Sequence, residues 1–462
     1  MRIEPGSFRD PAGRVLVDNG RVYRAIFEPG REAFEKARDA GVYSWAIGAG
    51  HLVAMEDVAP DTLVWEGEVP AYLIEHPALD FISYPYEWTF SQLKRAALFH
   101  LDFHLKLLER GFTLCDATAY NVQFVHTKPV FIDHLSIQPY KEGALWAGQR
   151  QFAMQFLCPL LLWAKCGTAP NAWYRGNLEG IAPEELAPLL PFRARMSFTV
   201  MGHVTVPAKL QQKAIATDGA GAGQSSKRKL SKHAFTALLT GLRHYIAKLS
   251  PPGLATVWGG YDVDNSYDEA RRSEKHRFVS EFVSEVKPGT LFDLGCNSGD
   301  YSQAAIDAGA GQVVGFDFDF GALEQAYARF SQSKAAVLPL WLDATNPSPS
   351  QGWASAERKS FGERAKADAM VALAFIHHLA IAKNVPLDMA VDWLMAMAPK
   401  GVIEFPGKGD AMVQRLLSTR EDIFPNYTLE AFRECVKARG RIVKEHRIEG
   451  SERYLVQYER VA

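Results

Sequence analysis

The sequence predicts an α/β protein. Its C-terminal half reads as a Rossmann-like, doubly wound parallel sheet, and an α+β domain precedes it. Three observations carry that expectation. After Pro288-Gly289, short apolar runs alternate with helical stretches, the pattern of strands joined by helical crossovers. The N-terminal half instead opens with a hairpin signal and a long amphipathic helix. Between them lies DGAGAGQSSKRK, Asp218–Lys229, too poor in apolar groups to bury a core of its own. The expected division is residues 1–217 as the first domain, 218–232 as a linker, and 233–462 as the second domain with a helical lead-in.

In order along the chain, Val15–Val17 and Val22–Ile26 flank Asp18-Asn19-Gly20, residues that tolerate the positive φ of a tight hairpin turn. Arg31–Ala40 reads as helix, and strands are expected at 51–55, 62–65 and 71–75. Leu93, Ala97, Leu101, Leu105 and Leu108 share one face of a helix over Phe90–Arg110, with Gly111 placed to end it. Trp146–Trp163 is again helical and strongly apolar. Leu230–Leu249 forms a helix stopped by Pro251-Pro252. Strands then follow at Thr290–Asp293, Val313–Asp317, Ala336–Leu342, Ala369–Ala374 and Gly401–Glu404. Helices begin near Tyr301 and span Gly321–Phe330.

Composition narrows the function classes. The chain has 462 residues, 47% hydrophobic and 23% charged, with a net charge of -2. No global positive field favours nucleic acid. Five cysteines without a C-x-x-C pair argue against a disulfide framework or structural zinc and for a reducing compartment. The N-terminus lacks the apolar stretch of a secretory signal. The apolar run Phe152–Ala164 is too short to span a bilayer. A cytoplasmic protein with no membrane or nucleic-acid partner is expected.

The most informative segment is LFDLGCNSGDYS, Leu291–Ser302. A strand enters a turn with Gly295 and Gly299, and a helix begins. Glycine lets backbone approach a ligand closely, and the helix start presents free N–H groups. This segment resembles motif I of class I S-adenosylmethionine-dependent methyltransferases, with Asp293 as the acid before the loop and Asn297 in place of the middle glycine. VVGFD ends in Asp317, which resembles the acid that holds both ribose hydroxyls, although Asp317 read alone could cap the next helix. Phe318 could pack on the adenine. LWLDA, with Asp343 and Ala344, resembles the motif whose acid meets the adenine amino group. VALAFIHH, Val371–His378, falls where the fourth strand ends beside the methyl donor.

The resemblance therefore implies S-adenosylmethionine held by Asp293, Gly295, Cys296, Asn297, Gly299, Asp317, Phe318, Asp343 and Ala344, with no metal in this domain. His377 and His378 are the candidates for contacting the acceptor, since histidine titrates near neutrality. No N/D-P-P-Y/F segment follows the fourth strand, which argues against amide or adenine N-methylation. IEFPGKGD and REDIFPNYT further downstream resemble a bacterial methyltransferase group that includes nodulation-associated members. Trp258, Tyr261, Tyr267 and Lys275 resemble that group's lead-in. Lys275 is accordingly a cofactor candidate, and a core or surface role for these four stays open.

The N-terminal half carries a second pattern. CDATAYN places Asp116 and Asn121 at the D-x-x-x-x-N spacing, and Asp133 follows the apolar run PVFI. The region resembles the aminoglycoside-phosphotransferase-like branch of the kinase fold, which implies Mg-ATP at Asp116, Asn121 and Asp133. It departs from that pattern in lacking a Gly-rich phosphate loop and a third-strand lysine. Asp116 and Asn121 could equally cap a turn. The expected function is a methyltransferase whose kinase-like domain recognises the acceptor, a small molecule or a protein. A bifunctional phosphotransferase and a cofactor-bound scaffold are the alternatives.

Overall fold

The computed structural model describes residues 2–63, 68–209, 229–253, 266–418 and 420–461. Trp258, Tyr261, the side chain of Tyr267 and most of the expected linker lie outside the described residues. So does half of the run expected as a strand at 62–65, residues 64 and 65, while Pro60–Thr62 forms a 3-10 turn. The chain forms two compact units. The first comprises Met1–Gly253 and Ser350–Arg358, and the second Leu254–Pro349 and Lys359–Ala462.

The first unit begins with an antiparallel sheet in the order β1 (Arg2–Ile3), β2 (Gly13–Asp18), β3 (Arg21–Ile26), β5 (Tyr72–His76), β4 (Glu56–Val58). The β2–β3 hairpin turns through Asn19 and Gly20, both at positive φ. A helix, Glu28–Asp39, follows β3. The helix Phe90–Glu109 is capped by Thr89, whose side chain accepts from the Gln92 amide, and it buries Leu93, Ala97, Leu101 and Leu108. Two small pairs follow: β6 (Phe112–Leu114) with β9 (Ile137–Pro139), and β7 (Val122–Val125) with β8 (Lys128–Phe131). The apolar stretch after Trp146 is helical from Gln149 to Cys166 and is interrupted by a π turn at Ala153–Leu157.

The helix Lys232–Ala247 belongs to the first unit, not to the second as its position after the linker implied. Its buried face decides this. Phe235 packs on His104 and Trp146, and Arg243 pairs with Asp102.

The second unit is built on a seven-stranded sheet in the order β12-β11-β10-β13-β14-β16-β15. The strands are β10 (Thr290–Leu294), β11 (Gln312–Asp317), β12 (Val337–Trp341), β13 (Ala369–Ala372), β14 (Lys400–Pro406), β15 (Gly440–Arg447) and β16 (Arg453–Arg460). The first five run parallel, and β16 is antiparallel to β14 and β15. Central strands such as TLFDL are buried almost end to end because helices cover both faces of a parallel sheet. The sheet is thus mostly parallel and doubly wound, with β16 its one reversed inner strand.

Candidate functional site

The parallel order makes β10, β11 and β13 neighbours, so their carboxyl ends open together, where ligands bind in doubly wound sheets. A cavity of about 1360 Å³ lies there, entirely within the second unit. The loop after β10 forms one wall. Gly295 and Gly299 adopt φ of 79° and 86°. A Cβ at Gly299 would stand 2.4 Å from the Phe330 ring, so side-chain-free backbone is required there. Asn297, which replaces the family's middle glycine, sits at φ 49°. Asparagine is among the residues that tolerate this left-handed region, and its Oδ1 accepts from the Ser298 amide at 2.7 Å.

Asp317 ends β11 on the same wall. Its Oδ2 accepts from the Asn297 amide and its Oδ1 from the Asp319 amide, each at 2.9 Å. The helix cap is instead Asp319, which accepts from Gly321 and Ala322. Asp317 is thus not spent as a cap, the alternative open from sequence. Burial pushes its carboxyl up, and the two amides oppose that shift. Phe318 is 64% exposed beside Trp341, while Asp343, Ala344 and Cys296 also line the cavity. Asp343 accepts from the Thr345 amide and hydroxyl. Burial raises the Cys296 thiol well above its ordinary range.

Asp293 stands apart. It is 2% exposed, accepts from the Ser302 hydroxyl at 2.6 Å, and does not reach the cavity wall. Burial pushes it up to about 7. It ties β10 to the helix Asp300–Asp307, so the structure gives it a supporting position behind the loop.

His377 and His378, whose rings lie 4.2 Å apart, line the same cavity. His377 is 1% exposed, and both ring nitrogens lack a hydrogen-bond partner among the described residues. Burial, then His378 and nearby cations, lower it to about 2. It is therefore a neutral imidazole throughout the working pH range.

Sequence reasoning did not see the charge network beside it. Glu404, fully buried in β14, accepts from Lys275 Nζ at 2.8 Å and Arg453 Nη1 at 3.0 Å. Arg453 also binds Asp410 at 2.6 and 3.0 Å. Lys275 lines the cavity, but its ammonium is committed to Glu404. Despite its burial, Glu404 is held down to about 2 by Lys275 and Arg453. It also accepts the Ala374 amide at 2.8 Å, at a residue with φ 48°. The clue in the sequence was a glutamate inside the apolar strand KGVIEFP.

In the first unit, the three residues singled out by spacing do meet. Asn121 Nδ2 lies 3.3 Å from Asp116 Oδ2 and 3.4 Å from Asp133 Oδ2. Arg24, on β3, pairs with Asp133 at 2.8 Å. Asp133 also accepts from the Ser136 hydroxyl, and Asp116 accepts the Thr118 amide. Among the described residues, no group of three or more His, Cys, Asp or Glu is placed to hold a metal.

No family model matches the chain. Over 457 residues it is 47% identical to the nodulation protein NoeA of Rhizobium meliloti (strain 1021), spanning 98% of this chain and 95% of that one. The chain belongs to the NoeA family. Among solved structures, it is similar to the N-methyltransferase NodS of Bradyrhizobium japonicum WM9, at 14% identity over 42% of this chain and 99% of that one, with a TM-score of 0.32. It is also similar to the magnesium protoporphyrin IX methyltransferase ChlM of Synechocystis PCC 6803, at 15% identity over 48% and 95%, with a TM-score of 0.30. These two likenesses are too low to bear weight, and the fold rests on the strand order. Among the described residues no helix is long and apolar enough to cross a membrane.

Proposed function

We propose that this chain is an S-adenosylmethionine-dependent methyltransferase whose second unit holds cofactor and acceptor in the one cavity. One observation carries the reading: Gly295–Ser298 of the loop after β10, Asp317 and Asp343 line a single cavity at the carboxyl ends of β10–β12. The residues fit the cofactor. Asp317 has oxygens turned by backbone amides toward the cavity wall and would take the ribose hydroxyls. Asp343 would take the adenine amino group, and the glycine loop would let the amino-acid part approach backbone. The cofactor supplies an electrophilic methyl on a sulfonium, so alignment does much of the catalytic work.

His377 and His378 would meet the acceptor. A neutral His377, its buried ring nitrogens unpartnered among the described residues, would orient an acceptor N–H or O–H reached through the cavity it lines, and it would not keep the proton. The relative's name speaks of nodulation, and we extend that setting to this chain with the acceptor left open between a small molecule and a protein. Asp317→Ala should abolish S-adenosylmethionine binding in calorimetry while leaving the fold intact by circular dichroism. Unchanged affinity would remove Asp317 from the site.

A second reading, phosphoryl transfer by a kinase-like first unit, draws on the meeting of Asp116, Asn121 and Asp133. The Arg24–Asp133 pair opposes it, because a cation already faces the acid that would bind magnesium. We therefore assign the first unit to recognition of the acceptor or a partner.

A further inference from the structure

Exposed large apolar side chains are scattered singly over most of the molecule, but not between Leu189 and Val206. There Leu189 is 52% exposed, Phe192 74%, Met196 64%, Phe198 88%, Met201 40% and Val206 45%. The segment is built as the short helices Phe192–Arg195 and Phe198–Val200 and a π turn, Met201–Thr205. It is firmly attached, since Leu190, Val200 and Val204 are buried at 1% or less. The segment's side chains thus divide into a buried set and an exposed set. One anchors the segment on the first unit, and the other forms an outward apolar face. Exposed large apolar side chains gathered in one short segment mark a candidate interaction site.

Charge selects the occupant. From Leu186 to Lys209 the chain contains no aspartate or glutamate, while Arg193, Arg195 and Lys209 lie within it. Aromatic and aliphatic side chains flanked by cations, without acids, match the chemistry of an anionic bilayer interface. There, apolar burial and electrostatic attraction add.

We propose that the Leu189–Val206 face docks on an anionic lipid bilayer. The expectation of no membrane partner rested on the lack of a spanning segment, and peripheral docking needs none. The inference is independent of the methyltransferase reading.

The test is flotation of the full-length protein with phosphatidylcholine vesicles, and with the same vesicles containing phosphatidylglycerol. Binding is expected to the anionic vesicles only, weakened by 0.5 M salt. It should fall at least tenfold in F192S/F198S and in R193E, while their circular-dichroism melts match the parent. These side chains are exposed, so folding should be preserved. Equal binding to neutral vesicles, no binding to either, or binding unchanged by the variants would overturn the proposal. So would concentration-dependent self-association that F192S/F198S abolishes, which would make the face a contact between copies.

Discussion

The two units each end a strand in an acid that sequence marked as functional, and they treat it differently. Asp317, after β11, is held by two backbone amides on a cavity wall. Asp133, after β8, is paired with a guanidinium at 2.8 Å. Amide donors orient a carboxylate and favour its charged form while leaving lone pairs for a ligand. An arginine answers the charge outright. The same local pattern, apolar strand then aspartate, therefore produces an open site in one unit and a closed ion pair in the other. What faces the acid decides between them, and the facing residue is distant in sequence.

The largest expected effect comes from unbalancing the buried network of the second unit. Glu404→Gln leaves Lys275 and Arg453 against Asp410 alone, an uncompensated buried charge. Removing one partner of such a pair costs about 3–5 kcal/mol, which denaturant unfolding should show directly. The Ala374 turn also loses its carboxylate, so cofactor affinity should fall with stability. Wild-type stability in this variant would mean the network contributes little. The corresponding break in the first unit is Arg24→Met. With side chains 11% and 15% exposed, the pair is mostly buried, and losing the cation should cost about 3 kcal/mol. If Mg-ATP bound to the unaltered protein in calorimetry, the contrast between open and closed acids would fail and phosphoryl transfer would return.

How much of this was legible follows from where the information lies. The parallel strands could be read because each is a compact apolar run ending in a turn, an acid or a glycine. The glycine loop and Asp317 could be read because their spacing is local. The two C-terminal strands escaped notice. β15, GRIVKEHR, is largely exposed, and β16 is a strand through its ladders to β14 and β15. The helix Lys232–Ala247 was legible as a helix but not in its allegiance, because an amphipathic face does not say which core it covers. Arg24 and Arg453 were invisible for the same reason: each matters through a partner far along the chain.

Acid should separate the units at the next smaller scale. In the first unit, burial lowers His100 to about 3 and His76 to about 4, and drives His104 and His134 well down. These histidines are neutral when folded and take up protons near 6.5 when unfolded, so stability is full above that pH. It is lost as pH falls from about 6.5 toward the folded values. In the second unit, Asp293 has the opposite sign. Raised from an ordinary carboxyl value to about 7, it stabilises at low pH, and that contribution fades as pH rises toward 7. His377 adds an acid-sensitive contribution of its own there. Thermal proteolysis with fragments assigned by mass spectrometry should show the first unit losing more stability between pH 7 and pH 5. Equal losses would mean the four histidines are not kept neutral by the fold. Asp293→Asn should make the second unit lose more stability as pH falls through this window, because the contribution that opposes its lowered histidines is gone.

The smallest effect tests whether the open site depends on its one departure from a glycine-rich loop. Asn297 sits at φ 49° with its side chain bonded to the Ser298 amide. Asn297→Gly relieves the backbone and loses that bond, two changes of about 1 kcal/mol or less that oppose each other. Stability and S-adenosylmethionine affinity should therefore move little. Asn297→Ala keeps the left-handed strain, about 1–2 kcal/mol for a residue with a Cβ, and loses the bond as well. It should weaken the cofactor by roughly tenfold, 1.4 kcal/mol at room temperature. The order Gly close to Asn and both above Ala, read by calorimetry, ties affinity to backbone conformation. An alanine variant that binds as tightly as the parent would show that the loop reaches its bound shape without an asparagine to tolerate the left-handed backbone.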